Sequence, residues 1–262
     1  MNRKSIIKNL VDLRFFIFKS LIGVLISTIL SLIFYRFIFE EIIFAPVNKN
    51  FITYKIYCQL VSSFRIDTTL CIEKFNFILQ NRTMEGQLSV LIYTSITFGF
   101  ILSFPWIIFQ LLTYIKEKFS ASKSINLKFQ VLNISLLFIV GVIFGYYIIV
   151  PLSISFLTNV QISSIIKNQI DIGSYISLLR STIIATGVIF NLPILVYYLN
   201  KLGIVNHDLL KHYRRYAYVI ILIASAIITP PDVLSLILLV IPLFCLYEIS
   251  TYLCKFNRTV NI

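Results

Sequence analysis

Residues 225–234, SAIITPPDVL, place a polar Thr-Pro-Pro-Asp between two apolar runs, 213–228 and 233–253. The first run, roughly 16 residues, makes only about 24 Å of helix, short of a hydrocarbon core of about 30 Å. Fusing the two runs into one helix would leave Pro230, Pro231 and Asp232 in lipid. A tight turn suits all four residues better. Thr229 accepts or donates at the end of one helix, Pro230 stops it, Pro231 serves as a first-turn residue of the next, and Asp232 puts negative charge near that helix's N-terminus. The expected result is a pair of short antiparallel helices held at shallow depth, with local thinning of the bilayer beside them.

Working outward, the rest of the chain supports a membrane reading. Of 262 residues, 58% are hydrophobic and only 13% charged, too few polar groups to cover the surface of a water-soluble domain. Further apolar runs of spanning length occupy 15–39, 88–114, 127–150 and 172–199. Pro105 lies inside the second, Pro151 stops or kinks the third, and the fourth holds Arg180, Asn191 and Pro193. The fold class that follows is an all-α integral membrane protein of six transmembrane helices, the fifth and sixth short, treated as a single membrane domain over 1–262.

Charge sets the expected orientation. Lys and Arg outnumber Asp and Glu by 23 to 11, yet they sit at helix ends and in loops, with no basic stripe interleaved with aromatics, so nucleic acid is not the expected partner. Basic residues gather in the N-terminal segment, around Lys116–Lys128, around Lys201–Arg215 and after the last run. The positive-inside rule then makes both termini cytoplasmic. The apolar run after MNRKSIIKNLVDLR is about a full span long and lacks a small-x-small cleavage site, so it reads as a retained first helix. The outer loop 40–87 mixes apolar and turn residues and reads as an ordered cap with short helices. Cys58 and Cys71 share that loop and are disulfide candidates if it faces an oxidising compartment, whereas Cys245 and Cys254 read as small buried hydrophobes.

Catalytic patterns are absent. There is no Gly-rich phosphate loop, no G-x-S-x-G and no H-E-x-x-H, and His207 and His212 have only Asp208 nearby, so neither an enzyme nor a metal or cofactor site is expected. What remains is the set of polar groups in or beside the membrane, each costly enough to need a reason. Asn191 precedes Pro193 by two residues; its amide either satisfies the backbone that proline frees or docks another transmembrane helix. Arg180 lies within snorkelling reach of the outer surface, and Glu248 is placed to pair with Lys255 or Arg215. Gly141 and Gly145 form a close-packing GxxxG. Asp12 and Arg14, just before the first span, either pair within the chain or offer a carboxylate to a partner's arginine.

Together these landmarks resemble the TatC family, the multi-span core subunit of the twin-arginine protein translocase. NLVDLR is similar to the family's N-terminal His-Leu-x-Glu-Leu-Arg motif, with Asn9 for His and Asp12 for Glu. FAPVNK resembles the segment after the first span, SFPWIIFQ the Phe-Pro motif of the second, and the runs through Gly141, Asn191, Thr-Pro-Pro-Asp and IPLFCLYE the remaining spans. The resemblance implies a receptor for the twin-arginine signal peptides of folded cargo. Signal-peptide binding would fall to Asp12, Leu13, Arg14, Phe104, Pro105 and Glu117. TatA- and TatB-type single-span partners would dock at Asn191, Pro193, Thr229, Pro230, Pro231, Asp232 and Glu248, and the proton-motive force would drive passage. It also implies the cell inner membrane, lipid contact and a homo-oligomer within the translocase. The second inner loop departs from the family: EKFSASKS has Lys123 where an acid belongs, leaving Glu117 as the displaced candidate, and Asn191 replaces the usual Glu or Gln. The alternative class is a proton-coupled small-solute transporter, which calls for an acid near the membrane midplane where this sequence offers Asn191.

Overall fold

The computed structural model describes residues 3–48, 50–63, 77–119, 126–159, 169–201, 205–229 and 233–260. In chain order the helices are α1 (Arg3–Ile33), α2 (Tyr35–Phe37), α3 (Ile52–Ser63), α4 (Gly86–Phe119), α5 (Leu127–Phe144), α6 (Val150–Asn159), α7 (Ile172–Ile189), α8 (Leu192–Lys201), α9 (His207–His212), α10 (Arg214–Ile228) and α11 (Val233–Val260). Among the described residues, five segments are long and apolar enough to cross a membrane: Val11–Ile33, Gly86–Lys116, Leu127–Thr158, Ile172–Asn200 and Ser235–Tyr252. With 15 residues, α10 falls short of that length, in keeping with the reading of the run before Thr-Pro-Pro-Asp.

The prolines shape the spans. The third apolar run does not stop at Pro151: α5 passes through a π-helical turn, Gly145–Ile149, into α6. A proline in a helix leaves the carbonyl four residues earlier without its donor. Here that carbonyl belongs to Tyr147, and the Thr53 hydroxyl on α3 donates to it. The wider turn and the borrowed hydroxyl together let the helix run on, which corrects the expected boundary at 150. Pro193 has the opposite outcome, since α7 ends at Ile189 and α8 restarts at Leu192. Pro105 and Pro242 are carried inside α4 and α11 without a break.

The loop after α1 forms a cap at one end of the bundle. A π-helical turn, Ile38–Ile43, a 3-10 turn, Ala45–Val47, and α3 follow one another. Irregular backbone near lipid must have its polar groups satisfied from elsewhere. Three tyrosines do this: Tyr146 donates to the Ile42 carbonyl at 2.7 Å, Tyr175 to that of Ile43, and Tyr54 shares its proton between the carbonyls of Pro46 at 2.8 Å and Pro151 at 3.1 Å. Burial pushes the Tyr54 phenol well above its ordinary range, so it stays a donor. Cys58, on α3, is disulfide-bonded; Cys71 lies outside the described residues. A departure from a purely helical reading is a short parallel pair, β1 (Ile78–Gln80) with β2 (Gln169–Asp171), in register Ile78 to Gln169 and Gln80 to Asp171.

Helix contacts are close where side chains are small. A Cβ on Gly141 of α5 would lie 2.6 Å from the Thr186 carbonyl oxygen of α7, and one on Gly99 of α4 would lie 2.8 Å from the Thr28 backbone of α1. The GxxxG reading therefore holds for Gly141. The buried core includes a cluster at the cap end around Ile43, Val150 and Tyr175, one between α10 and α11 around Leu239 and Leu243, and one joining α4 to α5 through Phe104 and Phe138. Cys254 is buried as expected, but Cys245 is exposed, because it lies on the outward flank of α11 beside Ile241 and Ile249.

Candidate functional site

Polar groups proposed from sequence fall into separate regions. At the end opposite the cap, α1 and α4 pack antiparallel. Phe16 stacks on Tyr114 at 5.7 Å between ring centroids, and the Trp106 indole donates to the Lys19 carbonyl at 3.1 Å. Asp12 lies one helical turn before Phe16, and Glu117 nearly one turn after Tyr114, so the backbone brings both acids to the same end of the α1–α4 pair. Asp12 is half-buried and makes no hydrogen bond or ion pair with a described residue, Arg14 included. Leu13 and Arg14 are exposed on the same turn.

Phe104 is not part of that exposed end. It is buried, stacked on Phe138 with ring centroids 3.6 Å apart, about 15 Å deeper along α4 than Tyr114. Sequence alone could not separate a core aromatic from a binding one. Its neighbour Pro105 faces elsewhere, lining an apolar groove of ≈ 540 Å³ with Phe109, Leu132, Ser135 and Leu136. The Ser135 hydroxyl is buried there without a partner among the described residues.

The second region is the break between α7 and α8. Asn191 Nδ2 donates to the Gly187 carbonyl at 3.0 Å, one turn back in α7, and not to that of Ile189, the carbonyl four residues before Pro193. Its Oδ1 is buried without a partner among the described residues. Pro193 is buried beside it, and Phe190 packs against Phe144 at 5.2 Å.

A third region joins α9, α10 and α11. Glu248 does not pair with Lys255 or Arg215. Arg214 grips its carboxylate in a two-pronged hydrogen bond, Nε to Oε1 at 2.6 Å with Nη2 on Oε2, and the Tyr218 hydroxyl donates to Oε1. The packing of α10 on α11 brings the exposed Arg214 alongside Glu248, a partner 34 residues away that local spacing could not single out. At the other end of the same helices, Thr229 is buried and its hydroxyl donates to the Ser225 carbonyl at 2.8 Å, closing α10. Pro230, Pro231 and Asp232 lie outside the described residues. Sequence reasoning missed the adjoining contact, a buried hydrogen bond of 2.8 Å between the hydroxyls of Ser153 on α6 and Ser235 on α11. Arg180, near the cap end, lies over the Tyr93 ring at 5.0 Å.

A bundle of long apolar helices, with one helix broken at a half-buried amide and an ion pair near the end of a long apolar segment, defines a multi-pass helical membrane protein. The family described as Sec-independent protein translocase protein (TatC) matches residues 8–242. A relative of that name from Blattabacterium sp. subsp. Periplaneta americana (strain BPLAN) is 35% identical over 243 residues, 92% of this chain and 91% of its own length. Another, from Helicobacter pylori, is 35% identical over 179 residues, 68% of this chain and 70% of its own. A crystal structure of a twin-arginine translocase receptor, TatC, superposes with a TM-score of 0.72 at 28% identity, covering 95% of this chain and 98% of that one. The chain is therefore a component of Sec-independent, twin-arginine protein transport. It belongs to the TatC family.

Proposed function

We propose that this protein is the signal-peptide receptor and core subunit of its translocase. Six helices cross the cell inner membrane, α10 being the short one, and both termini are cytoplasmic. The observation that carries the receptor reading is the end of the α1–α4 pair, where Asp12 stands without a partner among the described residues and Glu117 shares the same end. A half-buried carboxylate kept free of internal pairing suits a guanidinium that forks onto both its oxygens. Leu13 and Arg14 line the approach, Pro105 offers the signal's apolar stretch a groove, and Phe104 holds α4 in position.

TatA- and TatB-type single-span helices dock along the Asn191–Pro193 break and the α10–α11 hairpin, from Thr229, Pro230, Pro231 and Asp232 down to Glu248. The open Asn191 Oδ1 supports this. The proton-motive force drives passage of folded cargo, copies of the chain assemble within the translocase, and Cys58 and Cys71 bridge the cap on its outer face.

The test is export of a folded reporter carrying a twin-arginine signal. Asp12→Lys should cut export at least about tenfold, the cost of turning a charge-assisted pair into a repulsion, while the protein stays in the membrane; Asp12→Glu should export normally. Normal export by Asp12→Lys would sink the site.

A further inference from the structure

Where α9, α10 and α11 meet, an open cleft of ≈ 560 Å³ is lined by His207, Lys211, Arg214, Glu248, Tyr252 and Lys255, among others. Glu248 is the one acid among the described residues of this lining, and Arg214 and Tyr218 already hold it. His207 Nδ1 is engaged with the Thr251 carbonyl at 3.0 Å. Lys211 and Lys255 are exposed and make no hydrogen bond or ion pair with a described residue. The cleft is therefore cationic, with two ammonium groups uncommitted. It sits at the last turns of a membrane-crossing segment that ends at Tyr252. Ile249 and Tyr252 line it too and are 51% and 69% exposed, so an apolar surface runs from the cations back toward the bilayer.

We propose that this cleft binds the headgroup phosphate of an anionic phospholipid, Lys211 and Lys255 meeting the phosphate while an acyl chain lies along Ile249 and Tyr252. A soluble phosphate would use the lysines alone and leave the apolar surface idle; a lipid uses both. Only the leaflet, the cytoplasmic one, rests on the orientation proposed above. Holding a lipid here would fix the depth of α10 and α11 at the end away from the Thr-Pro-Pro-Asp turn.

The experiment is native mass spectrometry of the purified full chain with phosphatidylglycerol or phosphatidylcholine of identical acyl chains. Phosphatidylglycerol should be retained at least about tenfold more tightly, and Lys211→Gln/Lys255→Gln should lose that preference, at about fivefold per lysine. Lys211→Arg/Lys255→Arg and the control Lys19→Gln/Lys128→Gln should keep it. Equal retention of both lipids, an unchanged preference in Lys211→Gln/Lys255→Gln, or an equal loss in the control would overturn the site. Displacement of the lipid by millimolar inorganic phosphate would overturn the lipid assignment in favour of a soluble anion. Binding is read without cargo or partner proteins, so failure of the receptor reading leaves this result separate.

Discussion

The Asn191 amide has one group engaged in the fold and one that the proposed function assigns to docking. Its Nδ2 holds the Gly187 carbonyl at 3.0 Å, while its Oδ1 is buried without a partner among the described residues. Asn191→Leu removes both functions. The first loss should cost the isolated protein about 1 kcal/mol of stability; the second should weaken a docked partner helix by roughly 0.6 to 2 kcal/mol, or about 3- to 30-fold. A thermal melt of the purified chain reads the first, and crosslinking yield to a single-span partner reads the second. Asn191→Gln, with the same two groups, should restore the crosslink; a crosslink yield unchanged in Asn191→Leu would remove this residue from the docking surface. Much of this was legible in sequence, since an Asn two residues before a membrane proline needs a hydrogen-bonding reason. Glu248 was legible only as a problem. That it needed a cation followed from its depth, but the choice of Arg214 depends on how α10 rotates against α11, which no local pattern encodes.

At the scale of the element, the fate of each proline depends on what the rest of the chain supplies. Pro151 follows directly on one long apolar run and Pro193 lies within another. One is bridged because Thr53, 94 residues away, donates to the carbonyl the proline strands; the other breaks its helix. Thr53→Val should leave the Tyr147 carbonyl without that donor and lower stability by about 1 to 3 kcal/mol, read as a lower melting temperature in detergent; an unchanged melt would mean another group takes over. Gly141→Leu tests the α5–α7 contact. A Cβ there meets the Thr186 carbonyl oxygen at 2.6 Å, and backbone cannot swing aside as a side chain can, so overpacking of about 1 to 3 kcal/mol is expected. The positions of the five long apolar segments were readable from hydropathy and length. The strand pair and the cap contacts of Tyr146, Tyr175 and Tyr54 with Pro151 were not, because they join residues roughly 90 to 130 apart.

For the whole molecule, the decisive geometry is a bundle of unequal height. α10 has 15 residues, about 22 Å of helix against a core of about 30 Å. Its position is pinned at both ends: Arg214 to Glu248 at one, and the buried Thr229 at the other, with Ser235 just beyond tied to Ser153 on α6. If α10 crosses the membrane as proposed above and cannot slide, the bilayer adjusts by thinning or the helix end stays submerged. The 34-residue α4 of the same bundle makes the difference measurable within one molecule. A fluorophore at Ile227→Cys, a residue 80% exposed near the end of α10, lies about 20 Å from Arg214. In a bilayer of ordinary thickness it would sit about 10 Å below the far interface and be quenched best by lipids brominated in mid-chain. Thinning brings that interface down to the label, so lipids brominated next to the headgroup should quench it best. The same label at Leu88→Cys, exposed at the start of α4, serves as the reference for the near-interface pattern. Matching depth profiles at the two sites are the expected result. A mid-chain profile at Ile227 alone would mean that the turn is submerged, and that the short hairpin does not set the membrane's thickness.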